Sequence, residues 1–422
     1  MVKLVKAGKE DQEIREIIAN QIRMPEKTFG DIRAQISSLM VGTDRLDQLY
    51  AKYGKEMVQQ SCEDLLNYSE RRMRAGLESL ADGVYEAIDY IDDDGINDEP
   101  IKVSVKIKIE GDGVAVDLTD SDPQAEGNTN STMANTHAAI YYVLIAIVDP
   151  DMPANSGCYR PIDVITKAGS VVDPILPGAV AARTNCSQKI VEAMYKAFAP
   201  LTPDRVTAGS HGQITTCGFG GTDPNNGERF IYTEIQVGGN GARPTKDGAD
   251  GQDGHLPRFM NTPIEAVETR FPVRIERYGF VPDSGGAGTF RGSLAMVRDV
   301  KLLADNVSFA RYADRHTRAP FGLFGGKEGS MGAFILNPGS PNESQLKSKG
   351  LDNLRKDDVI SLRMPGAGGY GDPLERQFDL INNDLKNGKV SAEQAVNDYQ
   401  IVLNETGLEI DQEATDKIRK DK

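Results

Sequence analysis

One stretch of the chain, Gly238 to Glu268, concentrates the residue types that could do chemistry: GGNGARPTKDGADGQDGHLPRFMNTPIEAVE. It holds six glycines, three aspartates and one of the four histidines of the chain. Glycine loses more backbone entropy on ordering than any other residue, so such a run marks tight backbone geometry or close approach to another group. Asp247, Asp250 and Asp253 recur every third residue and His255 follows. This is not an EF-hand, which alternates its acidic ligands and closes on Glu; Arg258 stands at the closing position. Imidazole titrates near neutrality, so His255 suits a metal ligand, a general base or a structural role.

A second polar segment, DLTDSDPQAEGNTN (Asp117 to Asn130), leaves a strand and precedes a helix. Its carboxylates and amides suit a substrate or a metal, or else a hydrogen-bonded turn that caps the helix. The candidate site is therefore His255 as catalytic residue, with Asp120, Asn128, Asn130, Gly239, Asp247 and Asp250 as substrate-binding residues. Two further glycine-rich runs, Gly285 to Gly288 and Gly366 to Gly371, match neither a P-loop nor a dinucleotide fingerprint and read as tight turns between strands. Arg311, Arg315, His316 and Arg318 form a local basic cluster, suited to an anion or, as expected here, to pairing with acidic neighbours.

The elements that must position these residues give an α+β chain. Residues 10–90 read as helical, with Ile14, Ile17, Ile18 and Ile22 at helical spacing and a third pattern running from Glu56 to Ile91. Ile101 to Ile109 alternates as a half-buried strand, and VAVDL after Gly111-Asp112-Gly113 is its hairpin partner. His137 to Val148 and Gln188 to Ala199 read as helices within a β-rich region. Ser391 followed by Gln394 gives a capping-box pattern. The expected division is a helical segment over 1–98, a large mixed β-rich core with few helices over 99–375, and a short helical appendage over 376–422.

The net charge of -15 argues against generic nucleic-acid binding, which needs a basic surface. No apolar run reaches the roughly 18 residues of a membrane helix. No signal peptide is visible, and the four cysteines lie far apart without C-x-x-C spacing, which suggests free thiols in a cytoplasmic protein.

The order of the motifs adds a resemblance. NQIRMPEKTFGDIRAQ, DLTDSDPQAEGNTN, ANSGCYRPIDV, NCSQKIVEA, GGNGARPTKDGADG, NTPIEAVE, DSGGAGTFRGS and GAGGYGDPLER occur in sequence. Together they resemble the B subunit of the hydantoinase/oxoprolinase family over essentially the whole chain. The resemblance implies a partner: an A-type subunit of the sugar-kinase-like ATPase class, which phosphorylates a substrate carbonyl with Mg-ATP. The B part then completes the chemistry at a site containing a divalent metal, Mn or Zn. It also implies the substrate class: a cyclic amide (hydantoin, oxoproline or lactam) to be opened, or a ketone such as acetone or acetophenone to be carboxylated. A scaffold role without chemistry is the remaining alternative. The family's metal motifs, which resemble N-D-P-Y-x-G-G-T-H-x-x-D and H-H-x-D, do not occur here. The chain is thus expected to correspond to the C-terminal part of a B subunit, naturally split or truncated. No metal ligand is transferred to it, and a further polypeptide is expected to supply the metal-binding part.

Overall fold

The computed structural model describes residues 2–22, 25–256 and 259–420; Arg258 lies outside them. The chain forms two compact units, Met1–Ser69 and Glu70–Lys422. In the first, a short hairpin of β1 (Val5–Lys6) and β2 (Lys9–Glu10) leads into α1 (Gln12–Asn20). Asp11 caps α1, its side chain accepting from the Ile14 amide at 3.3 Å. The long helix α2 (Pro25–Tyr53) has Pro25 in its first turn, where a missing N–H costs nothing. Gly54, at φ 82°, separates it from α3 (Lys55–Glu78), and only Gly adopts that backbone without strain.

The second unit opens with β3 (Gly83–Ile91), β4 (Ile101–Glu110) and β5 (Gly113–Asp117), then α4 (Met133–Val148), β6 (Ile162–Ile165) and α5 (Arg183–Phe198). The expected third helix from Glu56 to Ile91 is therefore helix as far as Glu78 and strand from Gly83. Val84, Ile88 and Ile91 keep helical spacing, but the strand turns Val84 and Ile88 outward and buries Asp89 and Ile91. Pairing with β4 along its whole length decides the conformation, from Gly83 opposite Ile109 to Ile91 opposite Ile101. The two units divide at Ser69, within α3.

β7 (Thr215–Thr222), β8 (Arg229–Gln236), α6 (Ile264–Arg270), β9 (Val273–Val281), β10 (Ala295–Leu302), β11 (Val307–Tyr312), β12 (Ala333–Leu336), β13 (Ser344–Leu346), β14 (Lys349–Leu354) and β15 (Val359–Arg363) follow. Then come α7 (Phe378–Lys386), α8 (Ala392–Tyr399) and α9 (Gln412–Lys420). The sheet orders are β3-β4-β5-β6, β14-β11-β7-β8 and β13-β12-β15-β10-β9. The β5–β6 pair is parallel, so the first sheet is mixed. The fold is α+β.

Three cores hold the second unit. Val103, Val105, Ile107 and Ile109 alternate inward from β4 onto α4 and α5. Side chains of the other two sheets, among them Phe219, Phe309, Phe334 and Ile360, make a second core. Ile381, Leu385 and Tyr399 of the C-terminal helices make a third. Ser391 caps α8 through the Gln394 amide at 3.1 Å, but the reciprocal half of the capping box does not form. The Ser391 amide donates to Asp283, and the Gln394 side chain reaches Asp398.

The two other glycine-rich runs are not simple turns. A Cβ on Gly292 would lie 1.9 Å from the Ala367 carbonyl oxygen, and one on Gly366 would lie 1.9 Å from that of Ser284. The segments lie backbone against backbone, a contact that only glycine permits.

Candidate functional site

The glycine/aspartate loop lies on segment 207–211. A Cβ on Gly241 would sit 1.8 Å from the Ala208 carbonyl oxygen, and one on Gly238 would sit 2.5 Å from the His211 ring. The Ala208 amide donates to Ala242 and the His211 amide to Gly239, closing the layer with backbone hydrogen bonds. Two aspartates of the loop tie it to the rest of the unit. Asp247 accepts from both terminal nitrogens of buried Arg376 at 2.7 and 2.8 Å and from the Arg291 amide at 2.8 Å. Asp250 accepts from the Leu294 amide at 2.8 Å, from Lys389 at 2.9 Å and from Arg291 at 3.3 Å. Burial raises both carboxyls, but the Arg376, Arg291 and Lys389 charges win and hold them below the usual carboxylate range.

The loop borders a cavity of about 1060 Å3 that opens to solvent. Its walls are Tyr142 of α4, Tyr195 of α5, residues 204–207, and residues 240, 241, 243–246, 251–255, 259 and 260 of the loop. Of the candidate residues, His255 lines this cavity; Gly239, Asp247 and Asp250 lie behind the wall, where they hold the loop in place. Asp120, Asn128 and Asn130 are elsewhere. Asp120 is exposed, and buried Asn130 bonds the backbone of Ala125, Gly127 and Ala179. Asn128 is half-buried, and its backbone carbonyl accepts from the Ala182 amide ahead of α5.

α5 presents Gln188, Glu192 and Tyr195 at i, i+4 and i+7, so the three share one face. His255 Nε2 stands 3.6 Å from Glu192 Oε1, and His255 Nδ1 stands 3.4 Å from the Tyr142 hydroxyl. The Tyr195 ring lies 5.0 Å from the imidazole, centroid to centroid. Glu192 Oε1 also accepts from Ser210, from its amide at 3.0 Å and its hydroxyl at 2.5 Å. Burial pushes the Glu192 carboxyl up, but His255, Arg315 and Ser210 outweigh it and keep the group ionised at neutral pH. Burial raises both phenols, so Tyr142 and Tyr195 are neutral donors. The result is an imidazole between a buried carboxylate and a phenol. In this arrangement a carboxylate orients the ring and stabilises the imidazolium that proton transfer creates.

A second pair lies beside it: buried His211 Nε2 is 3.4 Å from Asp253 Oδ1. Both polar atoms of the Gln188 amide, both nitrogens of His211, Glu192 Oε2 and Asp253 Oδ2 are buried without a hydrogen-bond partner. His255 Nε2 is a further such atom, and others lie away from the cavity, among them Ser170 Oγ, Arg298 Nε and the Tyr312 hydroxyl. The carboxylates and imidazoles come as two pairs. Among the described residues no group of three or more His, Cys, Asp or Glu could hold a metal ion. The residues of this chain do not by themselves fit the metal of the resembling family, and no step is routed through it.

The basic cluster is absorbed by acidic neighbours. Arg315 pairs with Asp89 at 2.5 Å, Arg311 with Asp352, and Arg318 stands 4.0 Å from Asp92. Burial lowers His316 to about 4, so it is neutral. Cys158, Cys186 and Cys217 are buried free thiols and Cys62 is exposed. No helix among the described residues is long and apolar enough to cross a membrane.

Tyr142, Gln188, Glu192, Tyr195 and His211 escape sequence reasoning. In α5 the apolar residues Ile190, Val191, Met194 and Phe198 mark a core face and leave Gln188 and Glu192 looking solvent-exposed. The helix is in fact buried nearly all round. The available signal was the family motif NCSQKIVEA, which contains both residues.

Residues 1–373 match the family described as Hydantoinase B/oxoprolinase. The chain is 34% identical to the B subunit of a putative D-/L-hydantoinase from Pseudomonas sp. (strain NS671), across 99% of this chain and 72% of that protein. It is 28% identical to the beta subunit of caprolactamase from Pseudomonas jessenii, across 98% of this chain and 73% of that one. It covers only 29% of 5-oxoprolinase 1 from Arabidopsis thaliana, at 28% identity. The crystal structure of ATP-dependent caprolactamase from Pseudomonas jessenii superposes with a TM-score of 0.90 at 27% identity, covering 99% of this chain and 74% of that one. Nucleotide-free acetone carboxylase shares the fold, with a TM-score of 0.88 at 16% identity, covering 100% of this chain and 63% of that one. From the family match along most of its length and the 34% identity to a hydantoinase B subunit, the chain is a member of the hydantoinase B/oxoprolinase family.

Proposed function

We propose that this chain is a B-subunit component of an ATP-dependent complex that opens a cyclic amide after an A-type subunit has phosphorylated its carbonyl oxygen. The observation that carries this reading is the His255–Glu192–Tyr142 group in the wall of a cavity built by the family's glycine/aspartate loop. A ring amide is a poor electrophile; phosphorylation of its oxygen makes the carbon attackable and gives phosphate as leaving group. His255 takes a proton from the attacking water and returns it to the ring nitrogen, whose C–N bond breaks to leave a ring-opened acyl phosphate. A second water then attacks the acyl carbon and phosphate departs, leaving the carboxylate, and Glu192 holds the imidazolium during each proton transfer. Mg-ATP binds the A-type subunit. The divalent metal, Mn or Zn, is held in the metal-binding part of the B subunit.

The test is purification of the native complex through a tag on this chain, followed by an ATP-dependent assay on hydantoin, 5-oxoproline and caprolactam. The expected result is ring opening that requires ATP and proceeds without bicarbonate. Bicarbonate-dependent consumption of acetone or acetophenone, with cyclic amides untouched, would replace the reading by ketone carboxylation. Recovery of the chain without an ATPase partner would favour the scaffold alternative.

A further inference from the structure

The cavity has more cationic than anionic groups, although the chain has 63 acidic residues against 48 basic ones. Arg205, Arg243 and Lys246 line it, opposed by Asp204 and Asp253. Both acids have cationic or imidazole neighbours: Asp204 stands 3.8 Å from Arg205, and Asp253 stands 3.4 Å from His211. Among the described residues no hydrogen bond or ion pair engages the side chain of Arg243 or Lys246. Arg243 is half-buried and Lys246 exposed, whereas the deeply buried Arg291, Arg298, Arg315 and Arg376 all meet carboxylates.

The backbone holds the two free cations together. The Arg243 amide donates to Lys246 at 3.0 Å and the Lys246 amide to Arg243 at 3.4 Å, with Pro244 fixing the turn between them. Gly241, pressed on Ala208, sets the base of that turn. Arg243 and Lys246 line the same cavity as Tyr142, Tyr195 and His255. In that cavity His255 faces the Tyr142 hydroxyl.

We infer that Arg243 and Lys246 form an oxyanion subsite in the cavity that His255 lines, which selects a cyclic amide bearing a ring carboxylate over a neutral lactam. A guanidinium meets a carboxylate with two parallel N–H···O bonds, and the ammonium adds charge without geometric demand. The same pair suits the phosphoryl group of an activated substrate. The substrate half of this inference rests on the cyclic-amide reading above; the oxyanion half does not.

The experiment is calorimetric titration of the full chain with three probes: 5-oxoproline, its carboxylate-free counterpart 2-pyrrolidinone, and inorganic phosphate. Arg243→Gln and Lys246→Gln are the variants, with unchanged circular dichroism as the check on folding. 5-Oxoproline is expected to bind about 10-fold or more tighter than 2-pyrrolidinone, the scale of one charge-assisted hydrogen-bonded contact. Arg243→Gln removes that preference, Lys246→Gln reduces it, and the lactam's affinity stays the same. Phosphate binding that depends on Arg243, with no preference for 5-oxoproline, would assign the subsite to the phosphoryl group and overturn carboxylate selection. Equal affinities in wild type and both variants for all three probes would overturn the subsite altogether. Failure of the complex to turn over any cyclic amide would refute the proposed reaction but leave these binding results standing.

Discussion

At the residue scale, His255 and Glu192 are expected to fail differently. Glu192→Gln keeps the shape of the side chain and the Ser210 contacts but removes the charge 3.6 Å from the imidazole. The native complex carrying it is expected to lose about 10- to 100-fold in kcat with KM little changed, because Glu192 acts through His255. An equal rise in KM would instead point to a disordered loop. His316 tests the electrostatics away from the site. Its folded-state value is depressed to about 4 from 6.5, so the unfolded chain takes up its proton first. Its contribution is neutral above pH 6.5, and stability falls as pH drops from 6.5 towards 4, by on the order of 2–3 kcal/mol. In His316→Gln, denaturant titrations across this window are expected to lose that slope. An unchanged slope would show that His316 is protonated in the folded chain.

At the element scale, the glycine/aspartate loop is a layer fixed by close approach. Gly241→Ala pushes a methyl group onto the Ala208 carbonyl and is expected to cost about 1–3 kcal/mol in chemical denaturation and to weaken ligand binding in the cavity. Gly279→Ala, in β9, has nothing within 4 Å of the added carbon and is the matched control, expected to change neither. Most of these elements were legible in sequence, because their pattern and their environment agree. The alternation of KVSVKIKI, the hairpin turn after it and the apolar run of α4 are examples. β3 was not, since its apolar residues fit a helical period and only pairing with β4 selects the strand. The glycine/aspartate loop was legible as a special segment from composition. Asp247 and Asp250 were not assignable within it, because nothing local reveals arginines 44 and 129 residues away.

At the scale of the larger unit, the C-terminal helices are bonded to the site loop through buried charge. Asp384 accepts from Arg376 at 2.7 Å and from Arg291 at 3.4 Å, and both arginines continue to Asp247 or Asp250. Asp384→Ala leaves two buried guanidiniums short of a partner and is expected to cost about 3–5 kcal/mol. It should also raise protease sensitivity of residues 243–256. If stability fell while that loop stayed protected, the charge network would be structural without reaching the site. The helical pattern of 376–422 was readable in sequence, but its attachment was not. Ion pairs spanning more than a hundred residues leave no periodic trace.

The proposed function depends above all on proton transfer by His255 in the cavity of this chain. The decisive quantity is kcat of the native complex with His255→Ala under saturating ATP and cyclic amide, against the wild-type complex at equal content of each chain. A fall of about 100-fold or more is expected. A kcat equal to wild type would refute proton transfer by His255 and leave the chain a scaffold for chemistry done elsewhere in the complex.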